Sequence, residues 1–497
     1  MVCVALHVAP AAADVLQQRA VLDAAYAAQL AELAQSCRGQ NLPQAADVLE
    51  AWLPARDPNK LTLFVLPPSG DSSPADTAPP ADEPAATDQL PAWRRQWQAL
   101  RDRRADALFD LALRAVDEGR PSEAMPLVTE AVRENPHHAA GRRALGYVQY
   151  ENRWHTPFEV RQLSSGKVRH ETFGWLPQAH VQRYEQGERY YQGRWMPEAE
   201  EARLRSDVKR SWRIASEHYI VTTNHSLEEG VRLSRRLERL YDIWQQMFGA
   251  YVADAKELKR SLAGHGRLGR SRQHKVAYFR TRDQYNEALR AVQPRIGMTL
   301  GIYLDQTKVA YFFAGEQQDP GTVVHEATHQ LFQETRRVAR QVGRGDNFWI
   351  IEGIACYMES LDDHGDYVTL GGPNAGRMPA ARHRLLEDQF YVPLAELVQL
   401  GMQPLQADER LPMIYSQSAG LTDFLMHADG GRYREALVTY LAAVYSGRAT
   451  SRTLAELAGV DYPALDAQYR DFMRSDTTSA GAPGDASAGV SATTTAR

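Results

Sequence analysis

"GTVVHEATHQLF", residues 321–332, is the stretch from which the C-terminal half of this chain is read. His325 and His329 stand four apart, with Glu326 directly after the first. Positions i and i+4 of an α-helix share a face, so both imidazoles aim at one point and Glu326 flanks it. Asp319, Pro320 and Gly321 form a helix start, and Val323, Ala327 and Leu331 form an apolar stripe that buries the helix. The spacing fits two ligands of a tetrahedral zinc ion at ~2.0–2.1 Å. Helices with two merely hydrogen-bonded histidines carry the same five letters, so a third ligand is needed to separate the readings.

"NFWIIEGIACYMES", residues 347–360, offers one. It reads as a second amphipathic helix, with Glu352, Cys356 and Glu359 on one face and Ile351, Ile354, Ala355 and Met358 packing. Glu352 follows His329 by 23 positions, room for one helix to end, a loop to turn at "GRGD" and a second helix to return. Two histidines and a glutamate leave a fourth coordination position open, as a catalytic zinc site requires. The expected metal ligands are therefore His325, His329 and Glu352, for one Zn2+ per chain. Glu326 is placed to act as general base.

The preceding sequence has mixed α/β character. "EHYIVTTN", "KVAYFRT", "TLGIYLD" and "KVAYFFAG" read as strands, the last two paired through a turn at "DQTK". "SLEEGVRLSRRLERLYDIWQQMFG" is an amphipathic helix with Ser226 as N-cap, and "DQYNEALRAV" is another helix. The basic stretch 256–275 reads as a solvated insertion. After the second ligand segment, "LPMIYSQSAGLTDFLMH", residues 411–427, is helical from Pro412.

The front half has a different texture. Residues 15–54 read as a helical hairpin broken at "GQNLP", and residues 67–91, rich in Pro, Ala, Ser and Asp, as a flexible linker. In residues 108–147, Ala112, Gly119, Ala124, Ala131 and Pro136 fall where a tetratricopeptide repeat places its small contact residues and its terminating proline. A single such unit cannot bury its own face and is expected to pack on neighbouring helices. "YENRWHTPFEV" and "YQGRWMPEAEE" form a weaker repeat, with Trp154 and Trp195 41 positions apart. They predict a small β-rich module in which each Trp is a packing anchor, with carbohydrate contact as the alternative use.

Composition bounds the rest. The 497 residues, 43% hydrophobic and 24% charged with a formal net charge of −5, describe a globular chain of several domains with no basic field for nucleic acid. Cys3, Cys37 and Cys356 form neither a disulfide framework nor a thiolate cluster, so a metal must use histidine and carboxylate. No run reaches the ~18 uncharged apolar residues of a membrane span. "MVCVALHVAPAAAD" reads either as the last part of an export signal or as a helix start, which leaves the compartment open between extracytoplasmic and cytoplasmic.

"HEATH" followed by "WIIEGIACYME" resembles the gluzincin, peptidase-MA-like zinc metallopeptidases. Trp349, Glu352, Gly353, Ala355, Tyr357 and Glu359 match the W-x-x-E-G-x-A-x-Y-x-E wording of the aminopeptidase branch, and the chain resembles an uncharacterised bacterial group with a helical-repeat front half. The gap from the second histidine to the glutamate is a few residues longer than is usual there. The resemblance implies His325, His329 and Glu352 as ligands, and Glu326 as base and proton shuttle. It implies a tyrosine facing the metal from the 411–427 helix, with Tyr415 as the candidate oxyanion donor, equally readable as a tyrosine packed between helices. Glu359 is a candidate to orient a zinc-bound histidine, and equally a surface glutamate. It also implies an extended peptide substrate on the sheet edge before the zinc helix, assigned to "KVAYFFAG". "AGEQQ", with Gly315 and Glu316, is only loosely like the G-x-M-E-N motif that holds a substrate's free amine, so endo- and exopeptidase remain open.

The expected architecture is α+β and multidomain. A helical segment spans 1–66, a linker 67–92 and tetratricopeptide-like helices 93–148. A Trp-containing β-rich module spans 149–212, a gluzincin-like domain with a small mixed sheet 213–474, and a disordered tail 475–497. The expected function is zinc-dependent peptide hydrolysis on a peptide or protein substrate, with the tetratricopeptide-like helices open to a protein partner. The rival class is an interaction scaffold that keeps the peptidase fold with little or no turnover.

Overall fold

The computed structural model describes residues 14–67, 90–266, 268, 272–315 and 319–475. Most of the export-signal reading, the linker at 68–89, the tail from 476 and Glu316 lie outside these residues. What is described is a mixture of helices and small sheets.

Helices Val15–Gly39 and Pro43–Ala51 form the expected hairpin, and Ala92–Asp117 packs against Ala124–Glu134. Ala112, Ala124 and Ala131 are fully buried where these helices touch, as close contact between backbones demands. Charged side chains also enter this layer. Glu130 lies between Arg19 and Arg104, and Glu134 accepts from Tyr26 Oη at 2.9 Å and Trp52 Nε1 at 3.1 Å.

The repeat module contains three units rather than two. Hairpins Val148–Tyr150/Arg153–His155, Lys167–His170/Gly174–Pro177 and Glu188–Tyr191/Arg194–Pro197 are each followed by short helical segments. Gly146, Gly166 and Gly187, 20 and 21 positions apart, precede the hairpins with φ of 84°, 73° and 82°. Only glycine takes that conformation at no steric cost, and each one ends a helix before a strand begins. The middle unit carries Trp175 but lacks the Tyr and Arg of the quoted motif, which is why the 41-residue spacing conceals two shorter ones. The tryptophans are half-buried rather than buried, while the residues after them, His155, Leu176 and Met196, face the interior. Side chains alternate along a strand, so the inward place falls to the neighbour of each Trp.

The five-stranded sheet runs in the order Ile302–Leu304, Val309–Phe313, His274–Phe279, Tyr219–Thr223, Trp212–Ala215. Its three central strands are parallel, and each outer strand is antiparallel to its neighbour. "KVAYFFAG" is therefore not the sheet edge. The turn at 305–308, with Lys308 at φ 55°, folds the hairpin so that Ile302–Leu304 lies outside. Buried Ala310, Phe312 and Phe313 occupy the inner strand.

The largest core joins this sheet to the long helix Leu227–Val252, to Pro320–Glu334 (the histidine helix), to Phe348–Met358 (the glutamate helix) and to Leu411–Gly431 (the covering helix). Leu63 and Val65, from the front half, belong to the same core. Leu61–Phe64 is a strand paired antiparallel with Tyr367–Leu370, so the first 66 residues are not wholly helical. The basic stretch after residue 255 is not simply solvated either. Ala255–Leu262 is a helix whose Leu258 and Leu262 are buried against Ala92–Asp117 and Ala124–Glu134. Among the described residues, no helix is long and apolar enough to cross a membrane.

Candidate metal centre

Local chemistry sets the two ligand helices. Asp319 caps the histidine helix by accepting from Gly321 N at 2.9 Å, Pro320 opens it, and Arg236 of the long helix donates to Pro320 O at 2.7 Å. The glutamate helix begins at Asn347, held left-handed at φ 55°, a conformation Asn tolerates better than most residues. Its N–H donates to Val398 O at 2.8 Å, and Tyr440 Oη donates to Asn347 Oδ1 at 2.6 Å. All eleven residues of this helix are buried, so it is a core helix rather than an amphipathic one. Gly353, beside Glu352, permits that depth: a Cβ there would lie 2.7 Å from Thr422 Oγ1 and 2.9 Å from Ser418 O.

These supports bring His325, His329 and Glu352 together. The two Nε2 atoms are 3.0 Å apart, and Glu352 Oε2 lies 3.5 Å from His325 Nε2 and 3.7 Å from His329 Nε2. Three ligands of a tetrahedral ion with bonds of ~2.0–2.1 Å stand about 3.3 Å from one another. The separations bracket that value, and a nitrogen, nitrogen, oxygen donor set is one that zinc accepts, so the residues fit the metal. All three side chains are buried, a position that asks for a shared cation or a closed hydrogen-bond network.

The other imidazole nitrogen is also engaged. His325 Nδ1 is 2.7 Å from Glu359 Oε1, and Arg377 holds Glu359 with two contacts of 2.9 Å. Burial opposes the ionised form of Glu359, but His325 and Arg377 hold its carboxyl down at about 2. An ionised Glu359 fixes His325 Nδ1 as a donor, so a ring that coordinated a metal would keep its proton there and turn Nε2 to the ion. Glu359 is thus no surface residue. Arg377 lies in the irregular "GGPNAGR" segment and carries no periodic signal that sequence reading could use.

Glu326, 2% exposed, accepts from Tyr303 N at 2.7 Å. Tyr303 is the middle residue of the edge strand, whose outward N–H has no strand to pair with among the described residues. Tyr303 Oη continues to Glu334 at 3.1 Å, and Glu334 meets His274 Nδ1 at 3.1 Å. Tyr415 is buried on the covering helix, which packs on the glutamate helix. The donor atoms of Cys356, His325 and Glu359 also cluster, and burial raises the Cys356 thiol.

No protein-family model matches the chain, and no curated protein matches it.

Proposed function

We propose that this chain is a zinc-dependent peptide-bond hydrolase, with a gluzincin-like domain over residues 213–474. The convergence of His325, His329 and Glu352 from two helices, with Glu326 directly following the first histidine, is the observation that carries the reading. When bound, zinc lowers the pKa of a coordinated water to near 7 and polarises a carbonyl. His325 and His329 would hold it through their Nε2 atoms, and Glu352 through a carboxylate oxygen. Glu326 removes a proton from the attacking water and returns it to the leaving amine, and the Tyr303 amide keeps its carboxylate in place. Tyr415 is assigned to the oxyanion. The edge strand Ile302–Leu304, whose Tyr303 N–H is already given to Glu326, is the edge assigned to an extended peptide.

A scaffold that keeps the fold without turnover is the second reading. One observation favours it: His325, Glu326, His329 and Glu352 are between 1% and 6% exposed, and none of them lines either the cavity of about 580 Å3 against the long helix or the one of about 630 Å3 beside Glu359 and Arg377. Metal analysis and a peptide library separate the two. One zinc per chain, with cleavage that Glu326→Gln removes, is the expected result. Wild-type protein that purifies and refolds without zinc would overturn the hydrolase, and a zinc-loaded chain that cleaves nothing would establish the scaffold.

A further inference from the structure

Three polar side chains of the histidine helix face the sheet. Glu326, Gln330 and Glu334 stand at four-residue steps, which puts them on one side of the helix, and all three are buried. Glu326 accepts from Tyr303 N at 2.7 Å, Gln330 Nε2 donates to Lys275 O at 3.0 Å, and Tyr303 Oη donates to Glu334 Oε1 at 3.1 Å. Glu334 is held from behind as well. His274 Nδ1 lies 3.1 Å from its Oε2, and Gln330 Nε2 also donates to its Oε1 at 3.1 Å. Apolar residues of the same shape are often neutral or stabilising in such a place, so a buried polar set of this size asks for a role besides stability.

Tyr303 is the residue this set holds. Its amide is fixed on Glu326 and its phenol on Glu334, eight positions further along, so one edge-strand residue grips the histidine helix at two points about 12 Å apart along the axis. A single attachment would let the strand pivot, whereas two set its orientation. The edge strand has need of the second. It is three residues long, and Val309–Phe313 is its one strand neighbour among the described residues. Gly301, just before it, lets strand and helix approach closely: a Cβ there would lie 2.9 Å from Thr322 Cγ2 of the helix and 2.9 Å from Phe312 Cδ1 of the neighbouring strand.

We infer that Glu334 is a positioning residue for Glu326: by holding the Tyr303 phenol, with His274 and Gln330 behind it, Glu334 sets where the Tyr303 amide stands and so where the Glu326 carboxylate points. The inference rests on the reading of Glu326 as the general base. A base must lie within hydrogen-bond reach of the proton it takes, and a misplacement of ~1 Å costs on the order of 10²-fold in rate.

Three substitutions in the full chain test it. Tyr303→Phe deletes the phenolic oxygen and leaves the ring, Glu334→Leu deletes the acceptor, and Glu334→Gln keeps an acceptor oxygen for the phenol. Hydrogen exchange at the amides of residues 302–304, followed by mass spectrometry, reads the two-point grip without any turnover. Cleavage of a peptide found by library screening, normalised to bound zinc, reads its consequence.

Tyr303→Phe and Glu334→Leu are expected to exchange roughly tenfold or more faster at these amides. They are also expected to lose on the order of 10- to 10²-fold in kcat while KM and zinc content hold. Glu334→Gln is expected to stay near wild type in both measurements. A Glu334 that serves stability alone would lower the thermal midpoint of the Leu variant and leave kcat per bound zinc unchanged. That result, unchanged exchange in Tyr303→Phe, or a Gln variant as slow as the Leu variant overturns the inference. If Glu334→Leu does not fold, Tyr303→Phe carries the test. A wild-type chain that cleaves nothing ends the hydrolase reading instead, and the exchange result then decides the two-point grip by itself.

Discussion

Glu359 Oε1 sits 2.7 Å from His325 Nδ1 and is itself clamped by Arg377, so a carboxylate and a guanidinium together decide which nitrogen of a candidate ligand carries the proton. Removing such a partner typically costs 10–100-fold in metal affinity. Glu359→Gln is expected to raise the zinc dissociation constant by roughly that factor, and Arg377→Ala to do so to a lesser degree. Competition against a chromophoric chelator measures both. Unchanged affinity in Glu359→Gln removes the residue from the metal centre.

Tyr415→Phe isolates the oxyanion assignment, because it deletes one hydroxyl and leaves the ring in the core. Loss of a single donor to a developing oxyanion costs ~10²–10³ in kcat. The expected outcome is a fall of that order with zinc content and KM retained. Full turnover in the variant would make Tyr415 a packing residue.

Gly353→Ala probes how deeply the glutamate helix is seated. The new Cβ meets Thr422 Oγ1 and the backbone oxygen of Ser418 at under 3.0 Å, and backbone cannot swing aside as a side chain can. Overpacking of this kind costs ~1–3 kcal/mol. Denaturant melts should show that loss, and metal affinity should fall with it because Glu352 is the adjacent residue.

The acid limb of stability should report Glu130. Burial would raise its carboxyl, but Arg19, Arg104 and Arg56 outweigh burial and hold it at about 2. A folded value below the unfolded one stabilises the fold above about pH 4.5 and loses that contribution as pH falls toward 2. Glu130→Gln should therefore lower the midpoint at neutral pH and flatten its decline between those limits. Parallel acid limbs for wild type and variant would show that the pairing contributes nothing. Breaking a buried pair on one side typically costs ~3–5 kcal/mol.

Legibility followed the range of the interaction involved. The histidine helix, its Asp319 cap and the Ser226 cap of the long helix were readable because i, i+4 spacing and capping act within one turn. The third tryptophan unit was hidden because its constant feature is a left-handed glycine before each hairpin rather than the quoted Tyr-x-x-Arg-Trp. The edge strand was misassigned because alternation identifies strands but not their lateral order.

By itself the amino-acid order determined which side chains offer metal-binding chemistry, since helical geometry alone aligns His325 with His329. Tertiary packing alone brought Glu352 across 23 positions to within 3.7 Å of both imidazoles, set Arg377 behind Glu359 and hung Glu326 on the amide of Tyr303. The reason is physical: periodicity records what one helix does with its own residues, while a contact between elements depends on core volume and loop closure summed over the whole chain.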